Sequence, residues 1–392
     1  MGSSNSELTW DELLFGCSNH RVPGTEMLDR LQTAVDAFGL ADLLDRSIFE
    51  LSGGEAQKIA CASAAMLRPS VFVLDEPSAS LDAGGIEELR QVLAELKRAG
   101  ATVLVAEHRL HYLTGLCDRV LYLDDGRLDA ILDRDAFVNL HLAKRADMGL
   151  RAIERVEVRP PAQPQPATEP GGAGPGPAVV RIERLRVERK RRPVVDVVDL
   201  DLPGGEVIAL TGQNGAGKSS FAAGFSGILR ADARIVADGA PLSKRERLRR
   251  SFVVMQDVNY QLFAESVIDE ATLGHDVDDE AARAEAEAVL AGLGLAAFLD
   301  DHPYRLSGGQ KQRLAVAAAL LAKKRYLILD EPTSGIDRDH MERFGAQVQA
   351  IKHDVDLLLV ITHDTEFIET CADSVVELAE GRIVDRYRLR PD

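Results

Sequence analysis

The sequence predicts an α/β protein of two related domains, each a mostly parallel sheet flanked by helices, with an added helical subdomain. Three observations predict it. One block of the 392-residue chain occurs twice: Leu51-Ser52-Gly53-Gly54-Glu55 recurs 255 residues later as Leu306-Ser307-Gly308-Gly309-Gln310. The same offset carries Asp75 and Glu76 onto Asp330 and Glu331, Asp82 onto Asp337, His108 onto His363, Asp118 onto Asp373 and Gly126 onto Gly381. A repeat without gaps over that stretch means two copies of one unit. Short apolar runs, such as Val207-Ile208-Ala209-Leu210 and Tyr326-Leu327-Ile328-Leu329, suit parallel strands buried on both faces. The first of these runs leads straight into a glycine-rich loop and then a helix opened by Ser219-Ser220-Phe221.

The first domain is assigned to 1–155. Met1 to Ser6 has no counterpart and reads as a polar start. Asp11-Glu12-Leu13-Leu14-Phe15-Gly16 matches Asp269-Glu270-Ala271-Thr272-Leu273-Gly274 at an offset of 258. On that register the counterparts of Gln256 and Lys218 fall ahead of Met1, so this copy lacks roughly 80 residues of its template. An eroded gene, a misplaced start and a deliberate truncation fit the gap equally. The copy keeps a helical part, the Ser-Gly-Gly motif and strands expected at 71–74, 102–106 and 120–123. Deprived of neighbouring strands, its sheet is expected to bare a hydrophobic edge.

A linker is assigned to 156–178, because residues 159–178 read RPPAQPQPATEPGGAGPGPA and cannot build a core. The second domain, 179–392, carries a complete set of nucleotide-binding residues. Gly212, Gln213, Asn214, Gly215, Ala216, Gly217, Lys218, Ser219 and Ser220 form a phosphate loop between strand and helix. Glycines let backbone N–H groups curl around phosphates, and the helix N-terminus adds positive partial charge. Lys218 is expected to reach the β- and γ-phosphates and the Ser219 hydroxyl to ligate Mg²⁺. Asp330 suits the Mg²⁺ shell, and Glu331 suits a general base for water attacking the γ-phosphate. His363 ends another apolar run and is expected at the γ-phosphate; Gln256, after Phe252-Val253-Val254-Met255, is expected at Mg²⁺ or the attacking water. Asp75, Glu76 and His108 are their counterparts in the first copy, where no phosphate loop exists to serve, and read as a degenerate site.

Both halves resemble ATP-binding-cassette ATPases of the membrane-transport type. In that family two cassettes pack head to tail, and each Ser-Gly-Gly signature closes over the nucleotide held by the other. The resemblance therefore implies that Ser52, Gly53 and Gly54, or Ser307, Gly308 and Gly309, complete a site with ATP and Mg²⁺ as cofactors. Gln256-Asp257-Val258-Asn259-Tyr260-Gln261-Leu262-Phe263 is most similar to the energizing subunits of energy-coupling-factor importers, as are Asp11–Gly16 and Glu107-His108-Arg109-Leu110. In that group the region receives a coupling helix from a transmembrane subunit. One departure is the base platform: Arg186-Val187-Glu188-Arg189-Lys190-Arg191-Arg192 has no aromatic residue. It reads as a solvated hairpin, with an arginine over the adenine as the alternative.

Composition narrows the classes. A formal charge of −17 argues against a nucleic-acid partner. No run of 18 apolar residues exists, and the N-terminus lacks the pattern of a secretion signal. Cys17, Cys61, Cys117 and Cys371 show no metal spacing. The expectation is a cytoplasmic ATPase, peripheral at the inner face of the cell membrane, energizing an importer of a vitamin or metal ion. Its partners would be a transmembrane coupling subunit and a substrate-binding membrane component, with a second ATPase subunit or a homodimer also open. The rivals are a non-hydrolysing regulatory or decaying pseudo-ATPase and a soluble tandem-cassette factor acting on ribosomes.

Overall fold

The structure, a computed structural model, describes residues 8–51, 53–79, 81–158, 179–189, 191–256, 258–274 and 280–389. The polar start, Ser52 and the Pro/Gly-rich stretch 159–178 lie outside the described residues. The chain divides into two compact units, Met1–Arg155 and Val156–Asp392. Residues 156–158, assigned to the linker by sequence, go with the second unit. Val158 packs against a cluster of Ala209, Ile368, Ala372 and Val375, burying apolar surface that a free linker would leave in water.

The first unit opens with helices α1 (Thr9–Asn19), α2 (Gly24–Phe38) and α3 (Gly53–Met66). They share a core of Leu13, Cys17, Leu31, Val35, Phe38, Ile59 and Met66. α2 starts behind Pro23 and stops at Gly39, whose φ of 60° takes the left-handed cap without steric cost. Strand β1 (Val71–Asp75) then leads to α4 (Ala83–Arg98), capped by the Asp82 carboxylate accepting the Gly85 N–H at 2.9 Å. Ile86, Leu89, Val92, Leu93 and Leu96 recur at helical spacing and are the buried face of α4. β2 (Thr102–Ala106), β3 (Arg119–Asp124), β4 (Arg127–Asp133), α5 (Arg134–Val138) and α6 (Leu142–Asp147) complete the unit. β1 pairs with β2 in parallel and β3 with β4 antiparallel; among the described residues these are two separate two-stranded sheets.

The second unit begins with an antiparallel hairpin, β5 (Val179–Arg189) and β6 (Arg192–Pro203), then β7 (Val207–Thr211), α7 (Lys218–Ser226), β8 (Ala231–Ala237) and β9 (Ala240–Pro241). Next come α8 (Lys244–Arg250), β10 (Ser251–Val254), α9 (Val267–Ala271), α10 (Glu280–Gly292) and α11 (Gly308–Leu321). β11 (Tyr326–Asp330), α12 (Arg338–Ile351), β12 (Leu357–Ile361), α13 (Thr365–Cys371), β13 (Ser374–Ala379) and β14 (Arg382–Arg388) close it. Six strands form one sheet in the order β10-β11-β12-β7-β13-β14, parallel except at the β13–β14 edge. β7 therefore lies in the middle, although it comes early in the sequence. The Val207 N–H beginning β7 donates to Asp373 Oδ2 at 2.8 Å, tying this central strand to the start of β13.

Alternation along the strands splits the core in two. Leu327, Leu329, Leu358 and Val360 face the helices α9 to α12. Tyr326, Ile328, Leu359, Val376 and Leu378 share the opposite cluster with Phe221 and Phe225 of α7 and with Leu185, Val197 and Ile235 of the antiparallel sheet β6-β5-β8-β9. The basic run at 186–192 spans the end of β5 and the start of β6, with Val187 buried; Arg186 pairs with Glu188 at 3.1 Å and with Asp196 at 3.9 Å.

Candidate functional site

The glycine loop sits where the middle strand ends. Gly212, Gly215 and Gly217 have φ of 144°, 80° and 103°, a region closed to most side chains. A Cβ on Gly212 would lie 2.1 Å from the Leu378 carbonyl oxygen, and one on Gly217 2.6 Å from that of Val194. The loop is thus pressed between the end of β13 and the strand β6, and only glycine fits. The Gly381 N–H donates to the Ala216 carbonyl at 3.0 Å, so the β13–β14 turn braces the loop from behind. Lys218 opens α7, is buried, and its Nζ donates to the carbonyls of Gly212 (2.7 Å) and Gln213 (3.1 Å). These contacts hold the ammonium inside the curve of the loop.

Two further strand ends converge behind it. β11 and β12 carry Asp330 and Glu331, then Thr362 and His363, to the same end of the sheet as the loop, because all three strands run parallel. Burial pushes the Asp330 carboxyl up to about 6, against the Ser219 hydrogen bond and the Lys218 charge, which pull it down. Glu331 has a φ of 51°, unusual for a residue with a side chain, and its N–H donates to the Ile361 carbonyl at 2.8 Å. Its carboxylate lies 2.7 Å from His363 Nδ1 and accepts the Thr362 hydroxyl at 3.2 Å. The structure therefore brings together Lys218, Ser219, Asp330, Glu331 and His363. Gln256 is exposed just past β10, whose end lies beside that of β11.

The residues fit a nucleoside triphosphate with a divalent cation. The glycine curve exposes backbone N–H groups at a helix start, and beside it lie one ammonium, one hydroxyl and two carboxylates. Thr362 is the residue that sequence reasoning missed. Its signal was a hydroxyl directly after the apolar run 357–361, where a buried strand end needs a polar partner. At the signature of this unit, Ser307 caps α11: its Oγ accepts the Gln310 N–H at 3.3 Å, and the Gln310 side chain returns to the Ser307 N–H at 2.8 Å. Gly308 and Gly309 start that helix, and a Cβ on Gly309 would lie 3.1 Å from the Gly335 carbonyl oxygen.

In the first unit the mate of Glu331 keeps its backbone conformation, but the contact to the histidine is longer, runs through the other ring nitrogen and is less enclosed. Glu76 again has a positive φ, 43°, and its N–H donates to the Ala106 carbonyl at 2.9 Å. His108 Nε2 is 3.7 Å from Glu76, and both side chains are over a third exposed. Burial holds the Glu76 carboxyl above its ordinary value; the charges of Glu107 and Asp75 add to this, and His108 and Arg109 oppose it. Glu107 occupies the place of Thr362 and accepts from Tyr112 at 2.9 Å and from the N–H groups of His108 and Arg109. Gly53 and Gly54 start α3.

Residues 3–79 and 195–334 match the family profile described as ABC transporter. A Treponema denticola protein provisionally named an ABC transporter ATP-binding protein is 39% identical over 378 residues, covering 96% of this chain and 76% of that one. A Bacillus subtilis protein provisionally named the HMP/thiamine import ATP-binding protein YkoD is 29% identical over 390 residues, covering 94% and 71%. Among solved structures, ABCE1 in a model of ribosome-bound archaeal Pelota and ABCE1 gives a TM-score of 0.70 at 22% identity, over 98% of this chain and 62% of that one; the likeness is one of fold. Among the described residues no helix is long and apolar enough to cross a membrane, and no cluster suits a metal held by protein groups alone.

Proposed function

From the premise that the chain belongs to the ABC transporter family of tandem-cassette ATP-binding proteins, we propose that it hydrolyses ATP at the Gly212–Ser220 loop and energizes a membrane importer. The observation that carries the reading is the enclosed Glu331, hydrogen-bonded to His363 and Thr362 at the end of the strand beside the loop. Lys218 and the loop N–H groups would hold the phosphates; Ser219 and Asp330, with Gln256, would hold Mg²⁺. The bound Mg²⁺–ATP supplies the electrophilic γ-phosphorus and its leaving group. Glu331 orients the water and takes its proton, and the His363 imidazole fixes the carboxylate that does so. The loop and signature N–H groups meet the charge that develops on the phosphate oxygens. The sequence holds one glycine-rich phosphate loop, so we read one complete site per chain, closed by a signature segment at 52–54 or 307–309.

The importer reading is supported by the surface next to Gln256. Tyr260 and Phe263 are 74% and 76% exposed, and Leu273 is also largely exposed. In the first unit Phe15, the mate of Leu273, is exposed as well. Apolar side chains held in water beside a nucleotide site suit docking of a transmembrane subunit's coupling helix. We further propose the energy-coupling-factor type, importing a vitamin or metal ion, from the 256–263 segment and from the likeness to the Bacillus subtilis protein. Such a chain works at the cytoplasmic face of the membrane.

Two experiments test the proposal. Labelled ATP should titrate to one site per chain; two sites of similar affinity would remove the one-site reading. Affinity capture of a Glu331→Gln chain from solubilised membranes should recover a polytopic membrane protein. Recovery that persists after Tyr260→Ser and Phe263→Ser would detach the partner from this surface.

A further inference from the structure

We propose that Thr333 and Asp364 are positioning residues for the hydrolytic step. Their hydrogen bond ties the turn that follows Glu331 to the turn that carries His363, and so holds the carboxylate and the imidazole in one geometry; this rests on the reading of Glu331 as the general base.

Glu331 leaves β11 with a φ of 51°, and the Ser334 N–H donates back to its carbonyl at 3.4 Å. A backbone of that kind persists only where its surroundings over-determine it. Those surroundings are a closed circuit of hydrogen bonds. Thr333, two residues on, is 1% exposed, and its hydroxyl donates to Asp364 Oδ2 at 2.8 Å. Asp364 is itself buried, and its N–H donates to the Thr362 hydroxyl at 3.0 Å. That hydroxyl donates in turn to Glu331 Oε2 at 3.2 Å. The backbone from Glu331 to Thr333 closes the circuit. His363 lies between two of its members, Thr362 and Asp364, and its Nδ1 is 2.7 Å from Glu331 Oε1. Both carboxylate oxygens are thereby fixed, one by the imidazole and one by the threonine.

Helix capping alone does not account for Asp364. Its Oδ1 accepts the Phe367 N–H at 3.3 Å and caps α13. One oxygen suffices for that. The other accepts from a segment 31 residues earlier in the chain, so the bond joins two loops rather than finishing a helix.

The first unit supplies a comparison. Ser78 and Arg109 stand at the places of Thr333 and Asp364. The two segments are joined there as well, with the polarity reversed: Arg109 Nη1 donates to the carbonyls of Ser78 at 3.3 Å and Leu81 at 3.2 Å. Yet that joint hands nothing on to the carboxylate. Glu107 replaces Thr362, and a carboxylate has no hydrogen to donate to Glu76. The histidine then lies 3.7 Å from Glu76, against 2.7 Å at Glu331. Joining the two segments is common to both units; passing a hydrogen bond on to the carboxylate belongs to the unit with the phosphate loop. Loss of the Thr333–Asp364 bond frees the turn to relax from its positive φ and tilts the carboxylate, and a displacement of about 1 Å at a reacting group lowers the rate by about a hundredfold.

The test uses the full chain, with turnover followed by phosphate release, site occupancy by labelled ATP and stability by thermal melting. Thr333→Val keeps the shape and removes the hydroxyl. It should lower kcat by about tenfold to a hundredfold and leave ATP affinity within about threefold. Thr333→Ser restores the hydroxyl and should bring kcat back to within about threefold of the parent. Asp364→Ala should also lower kcat, and adding Thr333→Val to it should cause no further loss, because the same bond is already gone. Where Asp364→Ala fails to fold, the valine and serine variants at Thr333 decide. A bond that serves stability alone would lower the melting temperature and the number of filled sites and leave kcat per bound ATP unchanged; that result overturns the proposal. So do losses that multiply in the double variant. Absence of turnover in the parent chain would remove the ATP-hydrolysis reading and this inference with it, whereas equal turnover in the parent and in Thr333→Val removes the inference alone.

Discussion

The same lysine–aspartate pair occurs in both units, and the two copies live in different worlds. Lys352 Nζ lies 3.0 Å from Asp373, with side chains 19% and 11% exposed, and Asp373 also accepts the Val207 N–H that begins the middle strand. Lys97 Nζ lies 2.6 Å from Asp118, but Asp118 is 73% exposed, with Arg134 as its other partner at 3.5 Å. The helices and strands that present the pair are alike. The difference is the start of β7: the Val207 N–H meets Asp373, and Asp118 is left largely exposed. Like elements present both pairs, so enclosure rather than local structure sets the strength of the polar contact.

The comparison can be broken most decisively at the phosphate loop. Lys218→Ala should abolish ATP binding and reduce turnover by about 10³-fold or more, because the first unit holds no loop to take over. Residual turnover near wild type in a coupled phosphate-release assay would mean that the first unit hydrolyses ATP. Next in size is the carboxylate pair. Glu331→Gln should lower turnover by about 10²- to 10⁴-fold while ATP binding persists. Glu76→Gln should leave single-chain turnover unchanged, and a comparable loss there would erase the distinction between the two sites.

Stability should separate the units in the same direction. Tyr326→Ala removes a fully buried ring and should cost the second unit about 3–5 kcal/mol in urea unfolding. Val71→Ala, at the equivalent but exposed position, should cost less than about 0.5 kcal/mol. Equal costs would mean that the first sheet face is covered in solution. The finest distinction is the ion pair itself. Lys352→Ala should destabilise its unit by about 2 kcal/mol, since it strands a largely buried Asp373. Lys97→Ala should change stability by less than about 0.5 kcal/mol, as exposed pairs do, and that small effect should vanish in high salt.

Much of this was legible in the residues. The repeat gave the two units, because a gap-free offset preserves both chemistry and spacing. The loop was readable because its glycines follow an apolar run and precede a helix, and the structure needs those glycines where Leu378 and Val194 press on the backbone. Lys218, Ser219, Asp330, Glu331 and His363 were expected together because each ends or follows a buried parallel strand, and parallel strands deliver their C-terminal ends to one side of a sheet. Thr362 was not singled out, since a single hydroxyl beside a histidine has no pattern of its own. Residues 156–158 were given to the linker on composition alone; the packing of Val158 moves them into the second unit.

The sequence by itself determined the elements, their order, the doubled motif and the absence of a second phosphate loop, because those follow from local periodicity and from identity at a fixed spacing. Tertiary structure alone decided which apolar residues are core. Val73 and Ile328 read alike along the chain, and one is bathed in water while the other is sealed. Burial is set by what lies across the sheet, and for Ile328 the cover comes from distant residues such as Leu185, Phe221 and Ile235.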